Sequence, residues 1–168
     1  MVDARENSMG WEVLGEHQGI IVSLDWSSLF CGSYDGEIRN WLNGKYQVIQ
    51  DGASTGSSAG EKGLADLAWS QSEKKLIVSV VGGLAIYKNG AGQPLMIPEI
   101  KLAAMLRCNT DGTHVASREL QFNKESKQYD PKLMIRSTNS LADHPLLDSD
   151  LFMRSEGWLY DFAWSPGT

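Results

Sequence analysis

Apolar and polar residues alternate with a period of two through most of this chain, and that pattern predicts half-buried strands. Within the stretch HQGIIVSLDWSSLFCGSYDGEIRNW, residues 17–41, two alternating runs cover 20–26 and 29–33. The pair Asp35-Gly36 follows, then a third run ending at Trp41. Asp-Gly between alternating runs is a strong hairpin signal, because both central turn residues must accept positive φ. A fourth strand is expected over 46–50. The pattern then repeats, with strands at 64–69, 76–81 and 84–87 about a Gly82-Gly83 turn, and a fourth at 94–97. A third set covers 102–107, 114–122 and 132–138, with Asp111-Gly112 as its first turn and a short fourth strand at 151–154. Single strands are expected at 11–14 and 159–164. Between these lie a Gly/Ser-rich loop, 51–63, a charged excursion, 123–131, and an acidic loop, 140–150.

The strands recur as a unit. Ile21, Leu24 and Trp26 occupy positions four, seven and nine after His17, and the same frame returns as Leu64, Leu67 and Trp69. It returns again as Leu102, Met105 and Arg107, and finally as Leu159, Phe162 and Trp164. Trp69 follows Trp26 by 43 residues, Arg107 follows Trp69 by 38, and Trp164 follows Arg107 by 57. Propeller blades recur about every 40–45 residues, so the last interval implies an insertion of roughly a dozen.

The first unit resembles a WD40 repeat. His17, Ser33, Asp35 and Trp41 stand where that family places a His, a Ser or Thr, an Asp and a Trp, although Leu42 replaces the Asp that usually follows the Trp. The resemblance implies an all-β fold, a β-propeller segment of four-stranded antiparallel blades in an incomplete ring. It also implies that His17, Ser33, Asp35 and Trp41 form a buried structural tetrad fixing blade one. Aligned on that unit, blade two carries Gly60, Ser79, Val81 and Tyr87 at the four places, so apolar packing must hold it. The domain reading is a disordered leader over 1–10 and a propeller segment over 11–168. Blade one covers 17–50, blade two 60–97, blade three 98–154, and the first strand of a further blade 158–165.

Composition narrows the function classes. The chain has 168 residues, 15 basic and 21 acidic, a net charge of −6, which works against a general phosphate-binding surface. Two cysteines make neither a disulfide framework nor a metal-type pair, and the polar N-terminus lacks the apolar core of a secretory signal. A cytoplasmic or nuclear protein with no membrane span is the expectation.

Candidate chemistry is sparse. His17, Asp35 and Ser33 include a base, an orienter and a hydroxyl, but their places match the structural tetrad, so no catalytic residue is assigned. Residues 56–62, GSSAGEK, lack the spacing and the following helix of a phosphate loop. His17, His114 and His144 share no ligand spacing with each other or with the cysteines, so neither metal nor other cofactor is expected. Trp26, Trp69 and Trp164 are expected in the core. Long loops on a repeat scaffold carry function, which singles out Lys124, Lys127, Tyr129, Asp143, His144 and Asp148 as partner contacts. The expected role is a non-catalytic scaffold for protein–protein interaction. Its partner would be the rest of a larger propeller, another chain completing the ring, or a separate protein. The alternative is a carbohydrate-binding propeller lectin of the tachylectin-like kind, which would need one exposed aromatic per blade.

Overall fold

Twelve strands, no helix and three separate sheets make up the described residues of the computed structural model: 15–42, 45–50, 63–80, 82–98, 100, 103–141, 147–149 and 163–164. Sheet one is β1 (Ile21–Asp25), β2 (Phe30–Ser33), β3 (Ile38–Leu42) and β4 (Lys45–Gln50). Sheet two is β5 (Leu64–Ser70), β6 (Lys75–Val80), β7 (Gly83–Lys88) and β8 (Leu95–Ile97). Sheet three is β9 (Ala103–Cys108), β10 (His114–Asn123), β11 (Gln128–Ser137) and β12 (Leu147–Ser149). Each sheet is an antiparallel meander whose strands neighbour one another in chain order.

Sheet two explains why the sheets stack. Its pleat sends Leu67, Trp69, Leu76, Val78 and Tyr87 to one face, where they pack with Phe30 and Ile38 of sheet one. It sends Ala68, Ile77, Leu84 and Ile86 to the other, where they pack with Ala103, Leu106 and Val115 of sheet three. A sheet apolar on both faces must be covered on both. Packing concentrates on the inner strands, β1 against β5 and β5 against β9. The result is a radial arrangement, an unclosed ring of three blades.

Close approach is built into the glycines at the two junctions. A Cβ on Gly32 would lie 2.9 Å from Leu64 Cδ2, so only glycine lets β2 meet sheet two at this distance. Gly112 adopts φ +75°, and a Cβ there would lie 2.6 Å from Gln71 N. Its carbonyl accepts from Ser70 Oγ at 2.6 Å and from Thr138 Oγ1 at 2.8 Å, tying the β9–β10 turn to sheet two.

Three expectations need correction. Residues 123–131 are no loop: β10 and β11 form one continuous hairpin from His114↔Ser137 to Asn123↔Gln128, with Lys124–Lys127 as its turn. Pro131, which donates no hydrogen bond, sits where β11 extends past its pairing with β12, which runs from Leu133 to Ile135. Strand β12 falls inside the stretch read as an acidic loop, because pairing to β11 outweighs its polar composition. Trp26 is not core: it follows the last residue of β1 and is 77% exposed, beside a cleft that residues of sheets two and three also line. The expected strands at 11–14 and 151–154 and most of 159–164 lie outside the described residues, as do the leader and Gly60.

Candidate functional site

Three local arrangements carry polar chemistry. The first lies on the far face of sheet one. Pairing of Leu24 with Cys31 and of Cys31 with Arg39 places these side chains together, while Ser23 and Asp25 point to sheet two. His17 Nδ1 lies 2.9 Å from Glu37 Oε2, and His17 Nε2 lies 2.9 Å from Cys31 Sγ. The carboxylate only accepts, so Nδ1 carries the proton and Nε2 accepts from the thiol, an assignment made from the network. Trp41 Nε1 donates to the same sulfur at 3.3 Å. Arg39 clamps Glu37 with two bonds, 3.0 and 2.9 Å, donates to Glu16 O at 2.8 Å, and lies 4.4 Å over the Tyr46 ring.

The four residues expected as one tetrad are therefore neighbours in two hydrogen-bonded groups. His17 and Trp41 meet through Cys31. Ser33 instead donates to Asp35, whose carboxylate also accepts from Glu37 N at 3.0 Å. Cys31 and Glu37 were missed. Glu37 follows the Asp-Gly turn and Cys31 alternates into the same face as Trp41, so register alone could have found both.

Thiol, imidazole and carboxylate in sequence also outline a nucleophilic relay, but the electrostatics run the other way. Burial raises the Cys31 thiol, the Trp41 N–H only partly opposing it, and the residue is 5% exposed. An activated thiol is lowered and accessible. Burial pushes Asp35 up, yet the Ser33 hydroxyl, the Glu37 amide and nearby His17 outweigh it, so its carboxyl ends below the usual range.

The second arrangement joins the inner strands. Asp25 accepts from Trp69 N at 2.7 Å, and Asp66 accepts from Leu106 N at 2.7 Å and Arg107 Nη1 at 3.0 Å. Ser23 Oγ donates to Asp66 and accepts from Leu67 N at 3.2 Å. These inner-strand aspartates stitch each blade to the next, and an acid amid apolar residues was the available signal. A cleft of about 320 Å³ opens along these strands between Trp26, Trp69, Arg107 and Cys108. Burial, with Asp25 adding to it, pushes the Cys108 thiol up to about 12. Trp164 Nε1 donates to Arg107 O at 2.8 Å.

The third is the β10–β11 hairpin tip. Beyond Glu119↔Ala103, where β9 stops pairing, the hairpin runs on through Phe122↔Tyr129. Phe122 and Tyr129 are 51% and 53% exposed, with ring centroids 5.4 Å apart in an edge-on contact. Lys124 and Lys127 are exposed in the turn beside them. Asp143 and His144 lie outside the described residues, and Asp148 pairs with Met134 in β12. Among the described residues no group of three or more His, Cys, Asp or Glu is arranged to hold a metal ion, and no helix is long and apolar enough to cross a membrane.

No family model matches the chain, and no curated protein matches it in sequence. Solved structures do match in fold. The computationally designed Ika4 protein is 19% identical with a TM-score of 0.52, over 84% of this chain and 81% of that one. The WD40 β-propeller domain of Doa1 is 17% identical with a TM-score of 0.53, over 80% of this chain and 41% of that one. A chain of a nidogen/laminin complex is 10% identical with a TM-score of 0.54, over 79% and 50%. The present chain thus spans about half or less of the two natural propeller-like chains. At these identities the likeness is one of fold, and the fold is that of a β-propeller segment.

Proposed function

We propose that this chain is a non-catalytic, WD40-like scaffold that docks a protein partner through the β10–β11 hairpin. The observation that carries this reading is the Phe122–Tyr129 pair, two large aromatics in edge-on contact yet half exposed. Aromatic residues are enriched where interfaces concentrate their binding energy. The hairpin projects past its flanking strand, so a partner reaches it without disturbing blade packing. The lectin alternative asks for an exposed aromatic repeated in every blade, whereas Trp69 and Tyr87 are 8% and 1% exposed.

The test is site-specific photocrosslinking from Lys127 in cells. The Phe122→Ala/Tyr129→Ala pair should abolish the adduct while leaving the melting midpoint within a degree or two. An adduct of undiminished yield, or a sugar-competable one, would overturn the reading.

A further inference from the structure

The cleft where the inner strands end carries chemistry that blade packing leaves unused. Asp25 closes β1 and Trp26 follows it, Trp69 lies in β5, and Arg107 and Cys108 end β9. Trp69 serves the fold: it is 8% exposed, and its indole N–H donates to Gln71 Oε1 at 2.7 Å. Trp26 lines the same cleft at 77% exposure, so its ring is open to a ligand. At about 320 Å³ the cleft stands at the small end of ligand sites, which run from about 300 to 1,000 Å³, and it suits a compact head group.

Charge narrows what that head group is. Asp25 and Arg107 are the charged residues of the lining. Arg107 Nη1 lies 3.0 Å from Asp66 Oδ2, and that ion pair offsets its charge. Asp25 accepts from Trp69 N at 2.7 Å and from the Ser27 amide and hydroxyl, three neutral donors, so its own charge stands uncompensated. Its field reaches the cleft wall, where it adds to burial in holding the Cys108 thiol up. A metal ion would lack ligands: most of the carboxylate's acceptor positions are taken, and among the described residues no three His, Cys, Asp or Glu gather. An alkylated ammonium needs no lone pairs. Its charge spreads over methyl groups, is drawn to an indole π-system and is attracted by a carboxylate without a direct bond. We propose that the cleft binds a small alkylated ammonium group, with Trp26 as its aromatic partner and Asp25 as its counter-charge.

The inference goes beyond docking and shares no residue with the hairpin tip, so either reading can fail alone. Its test titrates the full chain with choline and with neohexyl alcohol, in which carbon replaces the charged nitrogen, following the tryptophan indole N–H signals by NMR. Choline should shift the Trp26 signal saturably in the millimolar range, and the alcohol should not. Trp26→Leu keeps apolar bulk without the π-system, and choline binding, read at the Trp69 indole, should weaken about fivefold. Asp25→Asn should weaken it by a similar factor. Because Asp25 also joins two blades, added sodium chloride repeats that test in the wild type, where screening should weaken choline binding. Trimethyl-lysine in a short peptide presents the same group on a chain: tighter binding than choline places the ligand on a protein partner, weaker binding on a free molecule. The absence of a saturable shift, an equal response to choline and the alcohol, or binding untouched by Trp26→Leu overturns the proposal.

Discussion

His17 Nε2 sits 2.9 Å from Cys31 Sγ, and through that sulfur the imidazole is joined to the indole of Trp41. A small soft side chain therefore occupies the centre of the network that holds the far face of blade one. Cys31→Val keeps the volume and removes both hydrogen bonds, leaving Nε2 and Nε1 unpaired. Its cost should be about 1–3 kcal/mol, the range for stranding a buried polar group. Cys31→Ser, which preserves a donor and an acceptor, should cost less. Trp41→Ala should cost about 3–5 kcal/mol by emptying an aromatic site. Urea unfolding of the three variants checks the order; equal loss in Val and Ser would refute the network.

Asp66 is the residue whose removal should uncouple blade two from blade three. Its buried carboxylate serves Leu106 N, Arg107 and the Ser23 hydroxyl at once. Asp66→Ala strands the Leu106 amide between sheets. The expected loss is again about 1–3 kcal/mol, with faster hydrogen exchange at Leu106 and little change at Ile77. Uniformly faster exchange would mean that Asp66 acts on global stability and not on that junction.

Acid should weaken blade one through Asp35. Its carboxyl is held below the ordinary value of 3.8 in the folded chain. A depressed folded pKa stabilises above the unfolded value, and the contribution is lost as pH falls through the folded value. Asp35→Asn should therefore melt below the wild type at pH 7, and the difference should shrink as pH drops below about 4. A constant difference from pH 7 to pH 2.5 would contradict the Ser33–Asp35 assignment.

Eleven of the strands were legible because alternation, Asp-Gly and Gly-Gly turns and the 43- and 38-residue spacing all point the same way. The errors have physical causes. Residues 123–131 are charged, yet a two-stranded ladder needs only backbone pairing and one aromatic cross-strand pair, so composition misled. Strand β12 is short and polar and exists by pairing with Leu133–Ile135, which no local pattern announces. Trp26 fits the core frame perfectly; its exposure depends on whether another sheet covers it, and that is a tertiary fact. Of the four tetrad positions Ser33 and Trp41 lie in strands and His17 and Asp35 outside them. Register pointed to Cys31 and Glu37, but which groups bond to which depends on rotamers, so the split into two networks became visible only when side chains met.

The three sheets radiate from neighbouring inner strands, β1, β5 and β9. Spin labels at Ser27 and Gln71 follow the inner strands of sheets one and two, and labels at Val48 and Met96 mark their outer strands, all four at exposed or readily labelled positions. Pulsed dipolar distances in the full chain should be clearly shorter for the inner pair than for the outer pair. Equal distances, or an outer pair closer than the inner one, would contradict a propeller and require a sandwich or barrel.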